Sequence, residues 1–236
     1  MKAGRINLEN LEKLHLVFRG FRSHDGVGYW FRGQARLDWE LLPKAGRKEY
    51  YLPDNRDLKR FDVWKRQAIA YCSLPARDLE QLALAQHHGF ATRFLDWSMN
   101  PLVACYFACS DHLSADGVVY ILEAPEQFLT DEANLSLLSE VEGVFAYIPN
   151  AIAPRVMNQK GIFSVHCDAR QEIFVKDSRF GKAQPNLVQL VIPSTLKGEV
   201  IRLLDDYGIN RSVLFPDLDG LSAYINSRTE GVGKRA

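Results

Sequence analysis

The stretch LAQHHGFATRFLDWSMNPLVACYFA, Leu84–Ala108, decides how the rest of the chain is read. Its second half is apolar enough for a buried helix, with Asn100 as N-cap and Pro101 at the first helical position, where a missing N–H breaks no helical bond. Directly before that helix stand His87, His88, a glycine turn at Gly89, Thr92, Arg93, Asp96 and Trp97, the densest set of polar groups in apolar surroundings in the chain. Two readings of this set stay open. In the structural one, Asp96 or Ser98 accepts from the helix amides and Arg93 pairs with Asp96 in a buried network. In the functional one, a helix N-terminus beside arginine, threonine and histidine is a ready anion site, suited to phosphate. His88, next to Gly89, is expected to face a cleft, and His87 to be a helix-end residue.

Upstream, the triplet Phe-Arg-Gly occurs twice. Phe18-Arg19-Gly20 closes a helix whose apolar residues Leu8, Leu11, Leu14 and Phe18 recur at helical spacing, with Asn7 as N-cap and Gly20 as stop. Arg19 there faces the negative end of the helix dipole, an ordinary structural place. Phe31-Arg32-Gly33 instead ends "YWFRG", whose three aromatics read as a buried strand. An arginine in that place needs partners for its donors, and Gly33 lets a ligand or another backbone approach closely.

Between these landmarks, residues 55–88 read as helical with a break at "SLPARD", where Ser73 and Pro75 start a second helix. "GVVYILEA", "EIFVKD" and "NLVQLVI" read as strands, and "STLKGEVIRLLDDYG" as a late helix with Gly208 just past its end. The irregular mixture predicts an α+β single domain over residues 1–236 with a mixed or antiparallel central sheet, and a flexible tail at 229–236.

The 236 residues, 47% of them apolar, can bury one large core. Lysine plus arginine equals aspartate plus glutamate, 29 each, so no global field draws the chain to nucleic acid or membrane. The four cysteines have no paired metal-ligand spacing, and no apolar run approaches a membrane span; a reduced, cytoplasmic protein without membrane contact is expected. Adjacent His87 and His88 point about 100° apart on a helix, so no metal is expected there. There is no Walker loop and no dinucleotide fingerprint. His166 and Cys167 would point to opposite faces of a strand and cannot act as a nucleophile pair.

Four segments, "YWFRGQ", "QHHGFATRFLDWSMNPLVACYFA", "PRVMNQKGIF" and "YGINRSVLFPDLDGL", together resemble the bacterial FRG domain, named for its Phe/Tyr-Arg-Gly motif, over about residues 16–226. The motif falls on Arg32, not Arg19. Such domains recur in phage-defence and toxin-like settings, which implies an antitoxin or inhibitor partner. A second, more distant resemblance is to ADP-ribosyltransferases: "YWFRG" is similar to the aromatic-Arg-Gly strand that opens their active site, and Glu172 of "RQEIFV" to the catalytic glutamate that closes it. The resemblance implies an ADP-ribosyltransferase-like fold with added helices, NAD as substrate, and a macromolecular acceptor such as RNA, DNA or protein.

That chemistry breaks the nicotinamide–ribose bond through a transition state with positive charge on the ribose. Arg32 suits the phosphates, since its fork donates twice and stays charged. Glu172 suits the developing cation; its structural alternative is a surface residue entering a strand. Gly33, Gln34, His88, Thr92, Arg93 and Gln159 complete the expected NAD site. Tyr29, Phe90 and Phe163 are candidates to sandwich the nicotinamide, and Thr92 or Ser164 to support it. Arg155, Gln159 and His166 fall close to Glu172 in sequence, with Gln159 and Gly161 as pocket walls.

A non-catalytic domain that binds a nucleotide or nucleic acid is the alternative. It draws on "PKAGRKEYYLPDNRDLKRFDVWKRQ", which carries Lys44, Arg47, Lys48, Arg56, Lys59, Arg60, Lys65 and Arg66 with aromatics between them. The structural reading pairs these bases with Glu49, Asp54, Asp57 and Asp62 on a solvated face.

Overall fold

The structure is a computed structural model that describes residues 4–22, 28–124, 135–150, 158–171, 173 and 187–230. A seven-stranded sheet runs in the order β1-β7-β4-β2-β3-β6-β5, formed by β1 (Gly4–Asn7), β2 (Tyr29–Gln34), β3 (Phe94–Ser98), β4 (Gly117–Glu123), β5 (Val144–Tyr147), β6 (Gly161–His166) and β7 (Leu187–Ile192). Only β1 and β7 pair in parallel; the other neighbours are antiparallel. The sheet is therefore mixed, and the fold is α+β.

The helices are α1 (Leu11–Arg19), α2 (Arg56–Ala68), α3 (Asp78–His87), α4 (Pro101–Cys109), α5 (Leu137–Glu140), α6 (Ser194–Asp206), α7 (Arg211–Leu214) and α8 (Leu218–Glu230). Strand alternation assigns the packing. Phe31, Val119, Ile121, Leu190 and Ile192 point to one face and pack with Leu14 of α1, Val103 and Ala104 of α4, and Val200 of α6. On the same face, over β3, β6 and β5, Phe94, Phe163, Val165 and Tyr147 pack with Phe61 of α2 and Leu79 and Leu82 of α3. The opposite face buries Trp30, Leu95, Trp97, Tyr120, Ile162 and Leu187. One sheet face thus carries two helical layers, with a seam above β2 and β3.

Helix α4 lies directly on the sheet because glycine leaves room for it. A Cβ on Gly33 would stand 1.9 Å from the Ala104 carbonyl oxygen and 2.7 Å from the Ala108 amide, and one on Gly117 would stand 2.2 Å from the Ala108 carbonyl oxygen. The neighbour that Gly33 admits is thus backbone. Asn100 caps α4 as expected, its side chain accepting from Leu102 N at 3.0 Å. At the far edge, buried Lys197 of α6 donates to three carbonyls, Ala35 at 2.7 Å, Asp111 at 3.1 Å and His112 at 3.0 Å. Its full set of acceptors is what lets an ammonium sit there, although burial lowers its pKa.

Some boundaries differ from the sequence reading. The first helix is capped by Asn10, not Asn7, because Gly4–Asn7 is claimed by parallel pairing with β7 and Leu8 N continues that edge to Val191 O. The helix of "SLPARD" begins at Asp78 rather than at Ser73 or Pro75. Strands β3 and β5 have no counterpart in the sequence reading, and of β6 only a strand at His166 was expected. The "EIFVKD" strand lies outside the described residues apart from Ile173. Gly208 stands at φ +75° just after α6, as expected of a residue past a helix end. Of the tail expected at 229–236, Thr229 and Glu230 close α8 and 231–236 lie outside the described residues.

The close contact at Gly33 predicts that Gly33→Ala destabilises the chain by about 3 kcal/mol or more, because helix backbone cannot yield as a side chain can. Gly198→Ala, with nothing within 4 Å of the added Cβ, should instead stabilise by roughly 0.5–1 kcal/mol through α6 propensity. Urea unfolding of the two variants checks both signs.

Candidate functional site

The ladder between β2 and β3 is formed at Phe31↔Ser98, and no further pair follows among the described residues. Continuing that register would set Gly33 opposite Asp96. In place of that rung, Arg32 Nη1 donates to the Asp96 carbonyl oxygen at 2.7 Å. Arg32 starts on the face of Trp30 and Tyr120, and its guanidinium fills the parting between the strands. There it lines a cavity of about 270 Å³ in the seam between the helical layers. The walls are Gln86 and His87 from α3, Val103, Ala104 and Phe107 from α4, and Asp96, Phe163 and Gln159 from β3, β6 and the turn before β6.

Arg32 is 13% exposed. Its one carboxylate neighbour among the described residues is Asp96, with Oδ2 at 3.7 Å from Nη1; that carboxylate is 61% exposed, so the pair is weak. Buried Nε has no hydrogen-bond partner among the described residues. Burial lowers the pKa of the guanidinium to about 10, opposed by the charge of Asp96 and reinforced by that of Arg47. Holding the cation there at neutral pH costs on the order of 3 kcal/mol. A second anion in the cavity would offset that cost.

Asp96 is oriented from the other side. Gln86 Nε2 donates to Asp96 Oδ1 at 2.7 Å, and Gln86 Oε1 accepts from the Thr92 hydroxyl, which in turn accepts from Phe94 N at 3.1 Å. The opposite wall is fixed at the entry of α4, where Ser98 Oγ donates to Gln159 O at 2.6 Å and Gln159 Nε2 donates to Leu214 O at 3.0 Å.

The residues expected in the site divide. Arg32, Gly33, Gln159 and Phe163 line the cavity. Arg93 does not: it is 3% exposed, and its Nε and Nη2 grip Asp57 at 2.6 and 2.7 Å. It also donates to Asn55 Oδ1 at 2.8 Å, to Leu138 O at 3.1 Å and to Cys167 O. Its partner is Asp57 of α2 and not Asp96, whose carboxylate is held by Gln86 and stands near Arg32. With its donors spent on the protein, Arg93 holds α2 to the sheet. Thr92 is buried and acts on Gln86. Gln34 is buried, its Nε2 donating to Glu40 O at 3.3 Å.

His87 ends α3 as expected, but it is this histidine and not His88 that reaches the Arg32 cavity. His87 lines the Arg32 cavity, whereas His88 is exposed and lines a separate recess with Trp64 and Tyr71. Ala83, Gln86 and His87, at i, i+3 and i+4, share one face of α3, which is the signal that identifies His87 and Gln86. Phe90 packs on Phe61 and Trp64, and Tyr29 on Phe21, away from the cavity. Glu172 and Arg155 lie outside the described residues.

Behind the sheet runs a buried polar chain. Trp97 Nε1 donates to Ser164 Oγ at 3.0 Å; Ser164 Oγ meets His166 Nε2 at 3.1 Å; His166 Nδ1 donates to Gln171 O at 2.7 Å. A carbonyl can only accept, so His166 carries its proton on Nδ1 and Ser164 donates to Nε2. Burial holds the His166 pKa down at about 4.

Residues 27–117 match the family model of the FRG domain, so the FRG resemblance read from the sequence holds over that span. The matched segment contains β2 with Arg32, α2, α3, β3 and α4, which build most of the cavity. No curated protein and no solved structure matches the chain. No helix among the described residues is long and apolar enough to cross a membrane.

His166 gives a pH prediction. Its folded pKa lies below the usual 6.5, so the unfolded chain binds the extra proton first and stability falls as pH drops from 6.5 towards 4, by up to about 3 kcal/mol, levelling below. In His166→Gln that contribution is absent. Urea midpoints across this window should fall less steeply for the variant than for the parent, and parallel slopes would show that His166 is not held neutral.

Proposed function

We propose that the cavity between α3 and α4 binds a phosphate group of NAD through Arg32, and that the chain is an ADP-ribosyltransferase acting on a macromolecule. The observation that carries this reading is the state of Arg32: a desolvated guanidinium on a cavity wall, with, among the described residues, one exposed carboxylate at 3.7 Å and no partner for Nε. A phosphate oxygen is the complementary group. The likeness of "YWFRG" to the opening strand of ADP-ribosyltransferases supports the choice of NAD.

In the proposed reaction the C1–N bond to nicotinamide breaks, nicotinamide leaves as a neutral base, and an acceptor oxygen or nitrogen attacks C1 and gives up its proton. Arg32 holds the phosphates and Glu172 faces the ribose cation. The wall formed by Gln159 and Phe163 meets the sugar or the leaving ring. The toxin or phage-defence role, with an antitoxin or inhibitor partner, follows the same resemblance.

A second reading, a non-catalytic nucleotide- or nucleic-acid-binding domain, is favoured by the size of the cavity. At about 270 Å³ it stands at the lower edge of small-molecule sites and suits one end of a dinucleotide. Nicotinamide release on mixing the chain with NAD and cell extract separates the two. The transferase reading expects release that falls on the order of 100-fold in Arg32→Lys, which keeps a cation and a donor for Asp96 O but loses the fork, and equally in Glu172→Ala. NAD binding without release leaves the binding domain; absence of both binding and turnover sinks the NAD reading.

A further inference from the structure

The solvated face of α2 carries cations without counter-charges among the described residues. At about 100° per residue, Arg56, Lys59, Arg60, Arg66 and Gln67 share the side opposite buried Asp57, Phe61 and Ala68. The two acids of this helix are engaged elsewhere: Asp57 grips Arg93, and Asp62 pairs with Lys65 at 3.0 Å. Arg56, Lys59, Arg60 and Arg66 are exposed, and none has an ion pair among the described residues. In a chain whose charges balance overall, this is a local excess of one sign.

The stripe leads into an aromatic recess. Gln67 also lines the cavity of about 450 Å³ formed with Trp64, Tyr71 and His88. The Tyr71 ring is 89% exposed, whereas the Trp64 indole is backed by Phe61 at 5.8 Å and 14° between planes. A fixed flat ring, a free one and an opening between them form a site for a planar heterocycle, reached from a row of cations. His88 in this recess adjoins His87 in the Arg32 cavity.

We infer that this surface binds single-stranded nucleic acid, with backbone phosphates along Arg56, Lys59, Arg60 and Arg66 and an unstacked base in the recess of Trp64 and Tyr71. A duplex would keep its bases stacked and leave the recess unused. An anionic lipid surface would need an apolar face along the cationic helix, and Val63 is the one apolar residue on that face. The inference names the acceptor class for the proposed transfer and rests on that reading for its purpose, while binding itself needs no NAD.

The test is fluorescence anisotropy of a labelled oligouridylate of about 15 nucleotides with the full chain, without NAD, from about 50 to 200 mM salt. Four phosphate contacts predict a slope of log K against log salt near about −3, since each contributes about −0.7 on a single strand. The double variant Lys59→Ala/Arg60→Ala should shallow the slope by about 1.4. Tyr71→Ala should weaken binding about tenfold at unchanged slope, because stacking is not ionic. Arg202→Ala, an exposed cation on α6, should change neither. The inference is overturned by absence of binding at the lowest salt, by binding indifferent to salt or to the α2 variants, or by capture on phosphatidylserine vesicles without capture of the oligonucleotide. Binding without nicotinamide release would sink the transferase reading and leave this one standing; release from a chain that binds no oligonucleotide would do the reverse.

Discussion

A guanidinium standing where a sheet rung should be is the constraint on which this molecule turns. Strands β2 and β3 meet at Phe31 and Ser98 and then part, leaving the Asp96 carbonyl without a strand amide to meet it. A backbone carbonyl that leaves its ladder takes another donor. Arg32 supplies one at 2.7 Å and, in doing so, brings a cation through the sheet into the seam between two helical layers. The seam exists because α4 rests on Gly33 and Gly117 while α2 and α3 cover the other half of the same face. Structure and candidate chemistry therefore share one side chain.

Arg32 and Arg93 show how differently the same group can be used. Arg93 is surrounded by acceptors, with a bidentate carboxylate, a side-chain amide and two carbonyls, and so ties α2 to the region of β6. Nothing is left for a ligand. Among the described residues Arg32 has one carbonyl, a distant exposed carboxylate and an unmet donor. A buried cation with incomplete partners is an unusual thing for a fold to keep, and an anion is what completes it. The neutral His166 behind the sheet fits this arrangement, because a charged imidazole there would add to the positive field that Arg32 already bears.

Much of this was legible in the sequence where local chemistry decides. The aromatic run before Arg32, the Asn100-Pro101 start of α4 and the glycine after α6 each carry their own reason, and each was read correctly. The contrast between Arg19 and Arg32 was also legible, since one closes a helix and the other sits in a strand. What was not legible depends on distant partners. Residues Gly4–Asn7 become a strand only because β7 lies beside them, some 184 residues along the chain. Strand β3 is five residues with an exposed Asp96 in the middle, too short to announce itself. Asp57 looked like a counter-charge for its own helix until the fold set it against Arg93. Which of His87 and His88 reaches the Arg32 cavity turns on about 100° of helical rotation, which only the orientation of α3 fixes.

The most direct measurement is the ¹⁵N–¹H spectrum of the arginine Nε groups as ADP-ribose is added. The account predicts that the Arg32 Nε–H resonance shifts with saturation as its missing acceptor arrives, while Arg93 Nε–H, already held by Asp57 at 2.6 Å, stays in place. An unmoved Arg32 resonance, with the shift appearing at Arg93 or nowhere, would contradict it.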